Sequence, residues 1–265
     1  MFSKRVSSLA LLAAIGGLTF ATNSNALDIT GWTGTGAFGV LGADGDVTLS
    51  PTGNTQYGYV TTNGGLTGVG NLPGVGGDGD PENGSSIISP LFSADAGDAL
   101  EFYFNYVTSD GAGFADYAWA QLLDDLMDPV SLLFTARTTT GGNTVPGISM
   151  PTPTATLNPT STPIVGGAPT WSPLGDHSDT CWSTGCGYTG WIQATYTIPT
   201  AGDYYLNFGV TNWNDADYDS GMAFDGATIA GVSIDNPVPE PSVLALFGLG
   251  LAGLGLAKRR NSAKR

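Results

Sequence analysis

Apolar and polar side chains alternate most cleanly over 99–108, where Leu100, Phe102, Phe104 and Tyr106 fall on one face and Glu101, Tyr103 and Asn105 on the other. A period of two sends successive side chains to opposite faces of a strand, so one face of this segment belongs in a core. The same period returns at 202–212, where Tyr204, Leu206, Phe208 and Val210 alternate with Tyr205, Asn207, Gly209 and Thr211. Further strands are expected over 31–41, 46–49, 56–62, 117–123, 130–138, 190–199 and 222–234, each bounded by Gly, Pro, Asn or Asp. Segments 117–123 and 130–138 should pair as a hairpin around Asp124–Pro129, with Gln121 and Arg137 facing outward. Two stretches break the pattern. One, 63–86, is rich in Gly, Asn and Asp and reads as a surface excursion. The other, 138–173, carries Pro146, Pro151, Pro153, Pro159, Pro163, Pro169 and Pro173 and reads as an extended loop lying over the domain. A linker between two domains is disfavoured there, because too few strands lie on either side to close two sandwiches.

These elements predict an all-β fold, a jelly-roll-like β-sandwich over 27–236. Ile198-Pro199-Thr200-Ala201-Gly202-Asp203-Tyr204-Tyr205 reads as a strand, a tight turn and a return strand, a pairing common in jelly rolls. Composition agrees: glycine is abundant at 40 residues and Lys and Arg together number only 8, so helix-favouring side chains are scarce.

The pattern changes at both ends. Lys4 and Arg5, the apolar run 9–20 and Ser24-Asn25-Ala26 have the order of a secretory signal peptide over 1–26, with cleavage after Ala26 leaving Leu27 first. Export of this kind uses the Sec translocon. At the other end, 242–257 is uncharged and leucine-rich, and as a helix would rise about 24 Å, short for a hydrocarbon core of about 30 Å unless its flanks snorkel. Lys258, Arg259, Arg260, Lys264 and Arg265 follow and should stay cytoplasmic. Between the two ends Arg137 is the single Lys or Arg, against 23 carboxylates. Such an acidic chain argues against nucleic acid and anionic surfaces as partners, and cations are its natural counterparts.

Pro239-Glu240-Pro241 stands directly ahead of the apolar run, held extended by its prolines and open to a protease. Motif, apolar run and basic end, together 237–265, resemble the PEP-CTERM sorting signal, a tail also catalogued as an ice-binding protein C-terminal domain. The resemblance implies recognition by an exosortase, a transient stay in the inner membrane, and release or re-anchoring at the cell surface or in the extracellular matrix, often beside exopolysaccharide. Residues 198–205, with 104–113, 188–191 and above all 217–226, also resemble the exported β-sandwich domains found upstream of such tails. That second likeness implies a fold more than an activity.

Candidate chemistry is sparse. Cys181 and Cys186, the two cysteines of an exported chain, are expected to form a disulfide closing a small loop. His177 reads as a solvated loop residue. Asp215, Asp217 and Asp219 alternate before a glycine, and Asp78, Asp80 and Glu82 do likewise; both resemble calcium loops without the closing bidentate Glu, and weak Ca2+ binding competes with plain solvated turns. Trp171, Trp182, Trp213 and Tyr218 lie in or beside polar loops, the setting in which aromatic faces stack on sugar rings; core aromatics are the competing reading. No Gly-x-Ser-x-Gly elbow is present, and nothing in residue order selects a carboxylate pair for glycoside hydrolysis. The expectation is therefore a non-catalytic protein of the cell surface or matrix, associated with exopolysaccharide. The alternative is a secreted carbohydrate-active enzyme or a dedicated glycan-binding module.

Overall fold

The computed structural model describes residues 27–77, 79–114 and 116–235. The signal peptide, the sorting tail, its apolar run and Asp78 lie outside the described residues. In chain order the first half forms β1 (Thr33–Thr35), β2 (Ala37–Leu41), β3 (Tyr57–Thr61), β4 (Leu66–Thr67), β5 (Pro81–Ile88), β6 (Phe92–Ala94), β7 (Ala99–Thr108), β8 (Tyr117–Asp124) and β9 (Pro129–Arg137). The second half forms β10 (Thr156–Asn158), β11 (Val165–Gly166), a 3-10 helix (Ser172–His177), β12 (Gly187–Tyr188), β13 (Ile192–Thr197), β14 (Gly202–Trp213), β15 (Ser220–Ile229) and β16 (Val232–Ser233). No helix among the described residues is long and apolar enough to cross a membrane.

The strands build two antiparallel sheets, ordered β1-β5-β14-β8-β9 and β10-β13-β7-β15-β3-β2, with the short strands on their margins. β14 lies between β5 and β8, and β15 lies between β7 and β3. Each sheet is thus closed only when a strand from the last third of the chain enters its middle. The inward faces meet through aromatic rings: Phe104 stacks on Phe134 at 3.7 Å, Phe208 on Phe224 at 4.5 Å, and Phe102 meets Phe208 edge-on at 5.2 Å. Each such pair adds about 0.5–1.5 kcal/mol beyond the area it buries.

Four expectations need correction. The segment 31–41 is not one strand: Gly36, at φ 79°, breaks it so that β1 joins one sheet and β2 the other. Residues 46–49 form no strand, because Asp44 and Asp46 spend their carboxylates on the backbone N–H groups of Ser172 and Thr170, and Val47 is drawn beneath that loop. The excursion 63–86 ends early. Its last residues form β5, whose Gly84, Ser85 and Ser86 pair with Thr211, Val210 and Gly209. A side chain at Gly84 would overlap the Val210 carbonyl, so this strand is small and polar by necessity and lacks the usual β signature. Finally, Gln121 and Arg137 do lie on the face away from the inter-sheet core, but both are buried. Arg137 is roofed by the first loop, donating to the Gly76 carbonyl at 3.0 Å and lying 4.7 Å above the Trp213 ring.

The two irregular loops account for that cover. Val69, Leu72, Val75 and Met150 pack over Tyr117, Trp119 and Trp213 on the outside of the first sheet. Trp171 and Leu174, with Val47, pack over Tyr57, Val107 and Ala223 on the outside of the second. Both sheets are therefore buried on two faces over much of their area, which explains the nearly unbroken burial of β8 and of the second half of β14.

Candidate functional site

One end of the sandwich gathers most of the residues that the sequence marks out. β3 and β7 end there and β15 begins there, with Thr108 opposite Ser220 and Thr61 opposite Gly221. β14 ends and β8 begins beside them, with Thr211 opposite Tyr117. The connections are stitched to one another through their backbones. Ser109 N–H donates to Asp219 O at 3.1 Å, Trp182 N–H to Ser109 O at 3.1 Å, and Ala112 N–H to Thr184 O at 3.0 Å. Gly111 allows this close approach, since a side chain there would overlap Ser183.

Cys181 and Cys186 are joined in a disulfide, with their Cα atoms 5.7 Å apart. The loop it closes presents Trp182, which is 46% exposed, and Phe114 of the neighbouring connection, 36% exposed, meets it edge-to-face at 5.0 Å. Cys181 and Ser183, on either side of Trp182, also belong to the wall of an open depression of about 400 Å3. Thr139, Thr140, Thr184, Pro163, Ile164, Cys186 and a run of glycines line the rest, so a few hydroxyls and backbone groups stand among mostly apolar surface. An aromatic ledge beside a hollow that carries threonine and serine hydroxyls can stack a sugar ring and address its hydroxyls.

Of the other aromatic candidates, Trp171 is fully buried, donating from Nε1 to the Tyr57 hydroxyl at 3.0 Å. Trp213 is 5% exposed beneath Arg137. Neither offers a face to a sugar. Tyr218 remains half-buried at the loop end, its ring stacked on His177 at 5.1 Å. Phe114 was not singled out from the sequence; a lone large aromatic in the Gly111-Ala112-Gly113-Phe114 turn between two strands was the available signal.

The alternating carboxylates do not converge. Asp215 caps its own turn by accepting Asp217 N–H at 3.0 Å, and Asp217 is exposed. Asp219 turns inward instead: Oδ1 accepts the Thr62 hydroxyl at 2.9 Å and Oδ2 lies 2.8 Å from His177 Nδ1. His177 is therefore an anchored, half-buried residue rather than a solvated one. Asp80 and Glu82 are exposed on or near their loop, tied to the same end by Asn214 N–H donating to Asp80 O at 3.1 Å. Among the described residues no three His, Cys, Asp or Glu side chains gather in a metal-holding group.

Directly under these loops lies a buried polar layer that residue order did not reveal. Asp116 is 1% exposed and accepts Trp213 N–H at 2.9 Å and the Ser220 hydroxyl at 2.6 Å. Ser220 Oγ lies 2.7 Å from Thr108 Oγ1, which accepts Asp110 N–H at 3.0 Å. Asp110 is 2% exposed. Burial pushes its carboxyl up to about 7, and burial together with the neighbouring Asp110 charge raises Asp116 well above the usual carboxylate range. Neither was singled out from the sequence, where Asp110 lies just after β7 and Asp116 just before β8.

Fold and loop end together define an all-β domain of two antiparallel sheets with a disulfide-closed aromatic loop. The particular assignment comes from the tail. Residues 237–260 match the PEP-CTERM protein-sorting motif, which marks an exported protein sorted through exosortase to the cell surface. Comparison with curated proteins gives no match. Among solved structures, the chain is similar to the enzymatically active domain of bacteriophage CBA120 tailspike protein 4 at 10% identity and TM-score 0.33, over 79% of this chain. It spans 21% of that tailspike chain. The K3 and K1 cleaved adhesin domains of Lys-gingipain from Porphyromonas gingivalis W83 are similar at 13% and 11% identity, both with TM-score 0.34. These cover 77% and 74% of this chain and 95% and 91% of theirs.

Proposed function

We propose that this exported protein is a non-catalytic, jelly-roll β-sandwich that holds extracellular polysaccharide at its disulfide-closed loop end. The strand order supports the jelly-roll reading. β5-β14-β8-β9 and β13-β7-β15-β3 are the two four-stranded halves such a fold interleaves. The observation that carries the binding reading is the exposed Trp182–Phe114 pair beside a hollow into which Thr139, Thr140, Ser183 and Thr184 bring hydroxyls. The outer layer of the cell is where a protein with this sorting tail would meet its polymer, after export and a transient stay in the inner membrane by its C-terminal segment.

Retention of the protein by exopolysaccharide purified from its host tests the reading. Wild-type protein should be retarded in polysaccharide-containing native gels. Trp182→Ala and Phe114→Ala should each lose most of that retardation with unchanged melting temperature. Retardation that is absent in the wild type, or indifferent to both substitutions, would remove this role from the loop end.

A further inference from the structure

We propose that Asp110, Asp116 and Asn212 form a buried site for a hard divalent cation of the calcium class, placed where the sandwich core meets the loop end. Asp116 and Asn212 reach the same face. Inward positions on β14 are 206, 208 and 210, and on β8 they are 118, 120 and 122, so 212 and 116 continue the two inward rows past the last core side chains. Thr211 pairs with Tyr117, which sets Asn212 and Asp116 beside each other, and the Trp213 N–H to Asp116 bond fixes that neighbourhood. Asp110 is tied to the same place through Thr108 and Ser220.

The second observation is a shortage of donors. Asp110 Oδ2 and Asn212 Oδ1 are both buried and neither accepts a hydrogen bond. The Asn212 amide nitrogen is engaged, Nδ2 donating to Asn83 Oδ1 at 2.9 Å, and its buried oxygen is the end left for a ligand. A buried oxygen without a partner is costly, and two of them beside a second buried carboxylate cost more. A cation with oxygen ligands removes that cost at once, because Ca2+ takes six to eight carboxylate, amide, carbonyl and water oxygens with flexible geometry. Two buried carboxyls and an amide oxygen are a different set from the alternating carboxylates Asp215, Asp217 and Asp219, none of which takes part.

The test uses the full-length protein, stripped with EDTA and returned to a metal-free buffer near pH 7.5. Melting temperature is followed against CaCl2 and, separately, MgCl2, and Tb3+ luminescence is read under tryptophan excitation, with Trp213 adjoining the site. Ca2+ should raise the melting temperature in a saturable way that Mg2+ at equal concentration does not reproduce, and it should displace Tb3+. Asp110→Asn, which keeps an oxygen for Gly111 N–H, should weaken the Ca2+ midpoint at least tenfold, as should Asn212→Leu, whereas Asp217→Asn should leave it unchanged. Should either core variant not fold, Asn212→Asp, which keeps the oxygen and adds a charge, should tighten the Ca2+ midpoint, and an unchanged midpoint there would count against the site. No Ca2+ shift in the wild type, an equal Mg2+ shift, or a shift that survives Asp110→Asn would each overturn the site.

Discussion

The guanidinium of Arg137 lies 4.7 Å above the ring of Trp213, and both side chains are sealed under the loop that follows β4. The single basic residue between the chain's two ends thus serves packing on the outer face of a sheet rather than display at the surface. A desolvated cation–π contact is worth about 2 kcal/mol, and the hydrogen bond to the Gly76 carbonyl adds about 1 kcal/mol. Arg137→Ala should therefore lower unfolding free energy by about 2–4 kcal/mol in urea titrations. Arg137→Lys should recover only part of it, because the planar fork is lost.

Gly209, in the middle of β14, faces Trp119 across the strand pair, and a Cβ there would overlap the indole ring. Its backbone is ordinary extended strand, so the requirement is purely one of space. Gly209→Ala should cost about 1–3 kcal/mol. Combining it with Trp119→Phe should cost less than the sum of the two single changes, and a double-mutant cycle by chemical denaturation measures that coupling. Strict additivity would mean that the overlap is relieved by backbone movement instead.

The Cys181–Cys186 disulfide closes a short loop, for which chain-entropy arguments give about 2 kcal/mol. Replacing both by serine should leave the two sheets intact by circular dichroism while freeing Trp182, read as faster acrylamide quenching of its fluorescence. Global loss of sheet structure would show that the loop end, not the aromatic core, limits stability.

Asp235, next to the last described strand, has its carboxyl pushed up to about 7, first by burial and then by the charge of Asp225. Its native form holds a proton that the unfolded chain, with an ordinary carboxylate, has already released at lower pH. Stability from this group is complete below about pH 4 and declines as pH rises through 7. Melting temperature followed from pH 4 to 8 should fall over that window, and Asp235→Asn should flatten the fall by the part this residue supplies. An unchanged slope in the variant would assign the effect to other buried acids.

Pro239, Glu240 and Pro241 carry the sorting assignment. Replacing all three with alanine should leave the protein in the membrane fraction with its full C-terminal mass, while the wild type appears at the surface or in the medium with the tail shortened. Intact mass spectrometry of the separated fractions reads both. Equal processing of the two proteins would show that the apolar and basic parts alone direct sorting.

Local order in the sequence determined what depends on near neighbours. The period of two at 99–108 and 202–212 gave two central strands, the Asp124–Pro129 turn gave the β8–β9 hairpin, and the tail's motif gave the destination. These are legible because a pleated strand, a tight turn and an extended proline motif are each set by adjacent residues. β5 escaped notice because its small residues answer to Val210 and Thr211, more than 120 positions away. Which tryptophans face solvent was undecidable for the same reason. Trp171 and Trp213 are covered by loops that contact them only in the folded chain, whereas Trp182 rides on the disulfide-closed loop and keeps an exposed face beside Phe114. The tertiary structure alone also placed Asp116 against Trp213 and set Asp110 and Asn212 in the same buried layer. Long-range strand pairing chooses such neighbours, and no local pattern of charge or hydropathy encodes them.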